Sequence, residues 1–311
     1  MASYIKDIKK ENTTNTTSGD KENIIVAGGC GVESVEIFNW RQRTWSPLQS
    51  LPEVHLGATS FVYNNHVTIA SGCFYHDIDD MIRMNINPNP DLSMHWSRCP
   101  VKLPTKLISH SSVLYNDHLI ITGGHSRNSG GVLECIYEVE VVPPYTVKTL
   151  SRMPEPRRLH STQLFDDNLF IVGGITTHEY QDNLSSVLLY DIKKNRFKQM
   201  TPLPYEVSEM ATVRWGDNIV VLGGADKRGK GLDTVIIYNV KTGQSDMLPS
   251  MRCKRQGCAA VVIGNNIVVM GGKSKRLPDL NSVEAFNFES YTWQELPEMS
   301  EGRYLHTAVV V

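Results

Sequence analysis

The apolar residues of this chain recur in short runs that end in glycine. Six such runs read NIIVAGG, HVTIASG, HLIITGG, NLFIVGG, NIVVLGG and NIVVMGG, and they end at Gly29, Gly72, Gly124, Gly174, Gly224 and Gly272. The spacings between successive end glycines are 43, 52, 50, 50 and 48 residues. Because self-similarity at such a period marks repeated supersecondary units, the pattern predicts six units.

Each run is the second strand of a predicted four-stranded unit. In the third unit, an apolar strand at residues 110–115 precedes the turn Asn116-Asp117, and the glycine-ended run follows. Asn, Asp and Gly accept the positive φ that two-residue hairpin turns require, so such pairs predict antiparallel neighbours. A polar loop then leads to a third strand and a fourth. In four units the fourth strand has a Trp or Phe near its start: Trp45, Trp96, Phe197 and Trp293.

Six units of four short strands predict an all-β fold, a six-bladed β-propeller of four-stranded antiparallel blades. Twisted open sheets rarely exceed about ten strands, whereas radial stacking of small sheets leaves only short, protected edges. Glycine pairs let backbones approach closely near the axis. The aromatic residues of the fourth strands are expected to fill the gaps between blades.

The two ends of the repeat predict how the ring closes. The chain enters at the second strand of a unit and finishes at residues 303–311 with a first strand that has no hairpin partner after it. We therefore expect the C-terminal strand to pair in the first blade, which removes two exposed edges.

Two units depart from the pattern, so we expect them to pack less regularly. The second carries Ser71-Gly72 in place of a glycine pair, and the third has Pro143-Pro144 and no Trp or Phe at residues 145–150. Three histidines recur at matching places in the first strands, which predicts a structural role for them: His110, His160 and His306.

Composition narrows the class of protein. A chain of 311 residues can bury a large core, and closed β structures often run this long as one domain, here residues 23–311. Residues 1–22 are polar and predicted to be a disordered lead-in. The net charge of −2 gives no reason to expect a nucleic-acid or membrane partner. No apolar run approaches the roughly 20 residues of a membrane span, and the N-terminus lacks the apolar core of a signal peptide. A cytoplasmic location is therefore expected.

The last unit carries the composite pattern most completely: Arg255, Gly271-Gly272, SVEAFN at 282–287, YTW at 291–293 and Leu296-Pro297. This pattern resembles the kelch repeat, and specifically the kelch domain of BTB–kelch proteins, over about residues 23–311. The resemblance implies a substrate-recognition module. In BTB–kelch proteins the propeller captures a target protein, while separate BTB and BACK segments bind a cullin and assemble a ubiquitin ligase. Such segments are absent from these residues, so we expect either a fragment or a free-standing propeller, monomeric in isolation.

The strand order predicts where a protein or peptide ligand would bind. Loops that follow the glycine pairs and loops that precede the first strands emerge on one face, because strands alternate in direction. In the kelch domains that the chain resembles, this face binds a peptide loop of the partner. Carried over by position, the partner-binding candidates are His55, Phe74, Tyr75, His125, Arg127, Arg158, Ser208, Lys227, Arg228, Arg255, Gln256, Lys273, Lys275, Arg303 and Tyr304.

The loops of the last two units concentrate positive charge. They hold nine cations, Lys227, Arg228, Lys230, Arg252, Lys254, Arg255, Lys273, Lys275 and Arg276, against Asp226, Asp233 and Asp279. Cations around a concave mouth attract an acidic partner, and Arg pairs with carboxylates through two hydrogen bonds. The sharper hypothesis is an acidic or phosphorylated peptide held between blades four and six, with Arg158 and Arg303 on the rim. The alternative is a solvated loop surface with no ligand preference.

Catalytic motifs are absent from the sequence. The ten histidines form no HxH or HExxH pair, and neither a Gly-x-Ser-x-Gly elbow nor a Walker-type loop occurs. We therefore expect no enzyme, no catalytic or metal-binding residues and no cofactor. Two other roles stay open because some kelch proteins resemble them: an actin-binding cytoskeletal scaffold, and a sugar mutarotase, which needs only a carboxylate and an Arg in the mouth.

Overall fold

A computed structural model describes residues 23–72, 79–86, 94–126, 128–274 and 278–311, and the structural statements below concern these residues. The predicted lead-in at residues 1–22 lies outside them. The strands in chain order are β1 (Asn23–Ala27), β2 (Val35–Asn39), β3 (Thr44–Leu48), β4 (Thr59–Tyr63), β5 (His66–Ala70), β6 (Asp80–Asn85), β7 (Trp96–Lys102), β8 (Leu107–Ile108), β9 (Ser111–Tyr115), β10 (His118–Thr122), β11 (His125–Ser126), β12 (Gly131–Val132), β13 (Cys135–Glu140), β14 (Val147–Arg152), β15 (Ser161–Phe165), β16 (Asn168–Val172), β17 (Val187–Asp191), β18 (Arg196–Gln199), β19 (Ala211–Trp215), β20 (Asn218–Leu222), β21 (Val235–Asn239), β22 (Ser245–Leu248), β23 (Ala259–Ile263), β24 (Asn266–Met270), β25 (Val283–Asn287), β26 (Thr292–Leu296) and β27 (Thr307–Val310).

The strands form six four-stranded antiparallel sheets and one three-stranded sheet. In order, blade I is β27-β1-β2-β3, blade II is β4 to β7, and blade III is β9-β10-β13-β14. Blades IV, V and VI are β15 to β18, β19 to β22 and β23 to β26, and the small sheet joins β8, β11 and β12. The first strands contact one another in a closed cycle, β4 to β9, β15, β19, β23, β27 and back to β4. The predicted all-β propeller is therefore confirmed, and the six four-stranded sheets in a closed cycle agree with the predicted blade count.

The C-terminal strand closes the ring as expected. β27 pairs antiparallel with β1, from Ile24 opposite Val310 to Ala27 opposite Thr307. The backbone of Asn23 also exchanges hydrogen bonds with Val311. One blade is thus built from both ends of the propeller, and the edge of β1 is paired within it.

A second closure is made by backbone hydrogen bonds between blades. The residue two positions ahead of each first strand is here called a ring residue. It donates its N–H to the carbonyl oxygen of the ring residue in the preceding blade, at 2.8–2.9 Å. All of them have a positive φ of 53–60°. The six ring residues are Gly57, Ser109, Leu159, Glu209, Gly257 and Leu305.

The glycine pairs dock each blade against the next. The N–H of Gly124 donates to the carbonyl oxygen of Arg157 at 2.7 Å, and the same bond recurs in every blade. A Cβ on Gly123 would lie 2.2 Å from that oxygen, so glycine is needed there. In blade II, Ser71 takes the first glycine's place at φ 53°. Its hydroxyl donates to the Leu107 carbonyl at 2.7 Å, which fixes it in this conformation.

Apolar clusters fill the junctions between neighbouring blades, and the fourth-strand tryptophans pack there as predicted. Each indole N–H donates to a carbonyl oxygen of the preceding blade: Trp45 to Pro297 at 2.8 Å, Trp96 to Gln49 at 2.9 Å and Trp293 to Pro249 at 2.7 Å. Irregularity falls where the sequence predicts it, because the register shifts between β6 and β7 and between β13 and β14.

The three recurring histidines are buried beside the ring, which confirms their structural placement. The Nε2 atom of His110 lies 3.1 Å from the Thr59 hydroxyl of the neighbouring blade, and that of His160 lies 2.8 Å from Thr122. Burial lowers the pKa of His110 to about 4 and that of His160 and His306 to about 3.

None of the helical segments in the described chain has the length and hydropathy of a membrane span.

Deleting residues 307–311 tests the closure. Without β27 the edge of β1 is unpaired and the cycle of first strands is open, so we expect the melting temperature to fall by more than about 10 °C. Thermal unfolding followed by circular dichroism measures this. Deletion of residues 1–20, which lie within the predicted lead-in, is the control and should leave the melting temperature unchanged. A truncated chain as stable as the full one would refute the closure.

The buried histidines predict loss of stability in acid. An unfolded histidine takes up its proton near pH 6.5, whereas His306 in the folded chain has a pKa of about 3. The unfolded chain therefore binds protons first, and the free energy of unfolding should decrease as the pH falls below about 6.5. Urea unfolding at several pH values measures the slope. His306→Gln should flatten it by at most about 1.4 kcal/mol per pH unit, whereas exposed His178→Gln should not. Equal slopes in His306→Gln and the unaltered chain would contradict this account.

Candidate partner-binding site

The face formed by the loops after the glycine pairs and the connections into the first strands is called here the loop face. Its two sets of loops are hydrogen-bonded to each other. Arg158 pairs with Ile175, Ser208 with Ala225, and Gln256 with Lys273, each as an antiparallel bridge. The two sets of candidates therefore lie on one face, as the strand order predicts.

A carboxylate occupies the centre of the loop face. Glu209, the ring residue of blade V, is 5% exposed and accepts the phenol protons of Tyr180 and Tyr304, each at 2.7 Å. Tyr180 lies in a 3-10 helix, Tyr180–Asp182, between β16 and β17, and Tyr304 precedes β27. The pKa of both phenols is raised, mainly by their burial and secondly by the negative charge of Glu209. This carboxylate thus connects blades IV, V and I across the mouth.

Two cations flank these tyrosines. The Nε atom of Arg158 donates to the Thr177 carbonyl at 3.1 Å, and its terminal nitrogens have no protein partner among the described residues. Burial lowers the pKa of Arg158, and the Glu209 carboxylate opposes that shift. The Nζ atom of Lys273 lies 5.4 Å from the centre of the Tyr304 ring, within range of a cation–π interaction. Arg158, Tyr180, Glu209, Lys273 and Tyr304 are called here the mouth cluster.

Arg303 is not available on the rim, contrary to the sequence expectation. Its side chain is 0% exposed and lies inside blade I. The Nη2 atom donates to Glu36 Oε1 at 2.8 Å and to the Ser34 hydroxyl at 2.6 Å. The Nη1 atom donates to the Gly28 carbonyl at 3.1 Å. This guanidinium connects the glycine pair to the Ser-Val-Glu segment that opens β2, so it stabilises the blade and cannot touch a partner.

Arg255 has the same position in blade VI and needs the same correction. It is 1% exposed, and its Nε donates to Glu284 Oε1 at 2.9 Å. Its Nη2 donates to the Ser282 hydroxyl at 2.9 Å. Arg157 repeats the arrangement in blade IV with Ser186, at 2.7 Å. In blades I and VI the Arg recurs together with a Ser-Val-Glu segment at matching places. That recurrence was the sequence signal for a structural role, just as recurrence at matching places was for the histidines.

The remaining candidates fall into three groups. His55, Ser208 and Gln256 are buried beside the mouth, and the Nδ1 atom of His55 lies 2.7 Å from the Ser71 carbonyl oxygen. Half-buried His125 packs edge-on against His178, with ring centres 5.1 Å apart. Four candidates lie outside the described residues: Phe74, Tyr75, Arg127 and Lys275.

The positive charge of the loop face is partly neutralised within the chain. Lys227 pairs with Glu206 at 2.8 Å, Arg252 with Glu295 at 3.3 Å, and Lys273 lies 3.9 Å from Asp279. Lys275 and Arg276 lie outside the described residues. Three exposed cations have no ion pair within the described chain: Arg228, Lys230 and Lys254. The Asp226 side chain accepts the N–H groups of Arg228 and Lys230, at 2.8 and 2.9 Å, which fixes their loop.

Two residues of the mouth cluster were missed by the sequence analysis. Glu209 occupies the ring position, which the repeat spacing locates, but the spacing carries no sign that a side chain there reaches the centre. Tyr180 lies in a loop whose length varies between blades, so no periodic signal identifies it. Within the described residues, no group of three or more His, Cys, Asp or Glu side chains is arranged to hold a metal ion.

Comparison with known proteins agrees with this architecture. Residues 109–311, more than half of the chain, match a family model described as the KLHDC2/KLHL20/DRC7 Kelch-repeats domain. The chain belongs to this kelch-repeat family. The kelch resemblance expected from the sequence is confirmed, and a kelch-repeat domain indicates protein–protein interaction.

Similar proteins match at low identity. The chain is 27% identical to Kelch-like protein 40 of Xenopus laevis over 124 residues, which are 39% of this chain and 19% of that protein. It is 26% identical to beta-scruin of Limulus polyphemus over 204 residues, 62% of this chain and 22% of that protein. These matches span about a fifth of the curated relatives. The solved structure of YjhT superposes with a TM-score of 0.71 at 15% identity, covering 84% of this chain and 88% of that one, and this likeness shows the fold.

Replacing one buried and one exposed arginine tests which of the two stabilises the fold. Arg255→Gln leaves Glu284 as a buried, unpaired carboxylate, which should lower the free energy of unfolding by about 3–5 kcal/mol. Exposed Arg228→Gln should change it by less than about 0.5 kcal/mol. Urea unfolding at neutral pH measures both. Similar stability for the two variants would mean that Arg255 does not support the blade.

Proposed function

We propose that this propeller captures a partner protein by binding a peptide segment of it on the loop face, as the substrate-recognition part of a cullin-type ubiquitin ligase adaptor. The observation that carries the proposal is the mouth cluster. It places Arg, Lys and two Tyr side chains together at the centre of the face on which all six blades converge.

The mouth cluster has the composition of a binding hot spot. Tyr and Arg dominate such spots because they combine large apolar area with directional hydrogen bonds. Here Tyr180 and Tyr304 are held by Glu209 before any ligand arrives. A partner would therefore order few side chains on binding, which lowers the entropic cost of association. The terminal nitrogens of Arg158 would be donors for a carboxylate or carbonyl of the peptide.

The positive charge of the loop face supports an acidic peptide as the ligand. Fewer cations are available for it than the count from the sequence suggests. Arg228, Lys230 and Lys254 add to Arg158, while three other cations already have carboxylate neighbours. Exposed charges of this kind accelerate association and select partners more than they raise affinity. Binding should therefore weaken as salt rises.

The ligase part of the proposal rests on the resemblance to BTB–kelch proteins and on the match to Kelch-like protein 40. In this proposal the propeller binds the target as a monomer in the cytoplasm, and a cullin is reached only through BTB and BACK segments. Capture of the target and recruitment of the cullin are thus separable steps, which can be tested independently.

The structure contains the two groups that a mutarotase-like enzyme needs, a carboxylate and an arginine in the mouth. Glu209 is almost fully buried, however, and each of its carboxylate oxygens accepts a phenol proton. Both carboxylate oxygens are therefore already occupied by phenol donors, which leaves neither free to accept a proton from a sugar. Protein capture therefore accounts better for the same residues.

Affinity purification with the intact chain, followed by identification of bound proteins and measurement of their affinities, tests the proposal. Reversing Arg228, Lys230 and Lys254 to Glu should weaken capture of an acidic partner by at least about tenfold, because each rim charge contributes up to roughly 1 kcal/mol. Reversing Arg196 and Lys198 on β18 is the control and should have little effect. Retained capture by the loop-face variant would refute the acidic-peptide proposal.

Two further measurements separate the alternatives. Co-purification of a cullin with the full-length protein, but not with the propeller alone, would support the ligase role. Pelleting of the propeller with actin filaments, without capture of a soluble partner, would instead favour a cytoskeletal scaffold and contradict the ligase role.

A further inference from the structure

The junction between blades II and III lacks the aromatic pair that fills other junctions. In blade VI, Phe286 lies opposite Trp293, and blade I has Phe38 opposite Trp45. In blade III the same register places Val139 opposite Val147. Two valines replace two aromatic rings, and Val147 is 36% exposed instead of packed against blade II.

A cavity of about 290 Å³ lies at this junction. One wall is the side of blade II that faces blade III, with Phe61, Met81 and Val101 as buried apolar residues. The other wall is the connection between β13 and β14, with Val141, Val142, Pro143 and Tyr145. The volume lies just below the range of about 300–1,000 Å³ for small-molecule sites, so the cavity has space for a compact molecule.

The cavity is positively charged. Arg83 on β6 lines it, and none of its fourteen lining residues is Asp or Glu. No carboxylate within the described chain pairs with Arg83. Thr68, which is 4% exposed, lies directly opposite Arg83 across the β5–β6 ladder, so the two side chains share a face of the sheet, and both line the cavity. A guanidinium and a hydroxyl that line one partly enclosed site favour an anion with planar oxygens.

We propose that this junction cavity binds a small amphipathic carboxylate. The carboxylate group pairs with Arg83 and Thr68, and the apolar body packs against Phe61, Met81 and Val101. The site is separate from the loop face, because the cavity is lined by the β4–β5 turn residue Asn64 and by the β13–β14 connection, which lie at the opposite end of the strands. The proposal does not depend on the function proposed for the loop face.

The probe for the test is 4-phenylbutyrate, with its uncharged amide of the same shape as a comparison. Ligand-observed NMR titration of the intact chain measures both. We expect the carboxylate to bind at least about tenfold more tightly than the amide, because a charge-assisted pair with Arg contributes more than a neutral hydrogen bond. Equal affinities, or no binding of the carboxylate, would overturn the proposal.

Variants locate the site. Arg83→Gln should reduce the affinity for 4-phenylbutyrate to that for the amide, and Arg83→Lys should give an intermediate value. Arg196→Gln, an exposed arginine of blade IV, is the matched control and should bind as the unaltered chain does. Val142→Trp fills the cavity and should abolish binding of both probes. Melting curves establish that each variant is folded. A folded Arg83→Gln protein that binds both probes normally would show that the ligand binds elsewhere, which would overturn the proposal.

Discussion

Six backbone hydrogen bonds that run from blade to blade around the axis are the interaction on which the rest of the structure depends. Each ring residue donates to its neighbour's carbonyl oxygen, and the cycle closes between Gly57 and Leu305. At every ring residue the chain turns through a positive φ of 53–60° as it makes this bond, two residues ahead of the first strand. The turn aims each first strand along the axis, brings each glycine pair against the next blade and directs the remaining loops to one face.

Closure also explains the buried polar groups. A blade that is fixed to its neighbours on both sides places its glycine carbonyl and the start of its third strand out of contact with water, so these groups need internal partners. The guanidinium of Arg303 supplies several at once, with Glu36 balancing its charge. Such ion pairs contribute little net stability, because removing two charges from water offsets their attraction. Their value here is geometric, since one side chain sets the distance between two strands.

The repeat made most of the fold predictable from the sequence. Spacing of the glycine-ended runs gave six blades, and the unpaired strand at residues 303–311 gave the closure. These features depend on backbone chemistry, which the pattern of Gly, Asn and apolar residues reports directly.

The site was harder to predict because side chains on neighbouring loops can point inward or outward from the same position. Arg158 remains near the surface, whereas Arg303, with a similar place ahead of a first strand, lies inside its blade. Tyr180 belongs to a loop whose length varies between blades, so only three-dimensional structure links it to Glu209.

The ring residues include four that are not glycine: Ser109, Leu159, Glu209 and Leu305. A left-handed conformation is unfavourable for such residues, so the surrounding contacts must hold it in place. The bond that closes the circle uses main-chain atoms alone, so the four non-glycine ring residues differ in side chain while the circle is kept. At Gly257, by contrast, a Cβ would lie 2.4 Å from the Tyr304 ring. The four non-glycine positions thus bring an acid, a hydroxyl and two isobutyl groups to the centre of the propeller. At the ring residues, the main-chain atoms therefore maintain the fold, while the side-chain atoms determine what the centre of the propeller can bind.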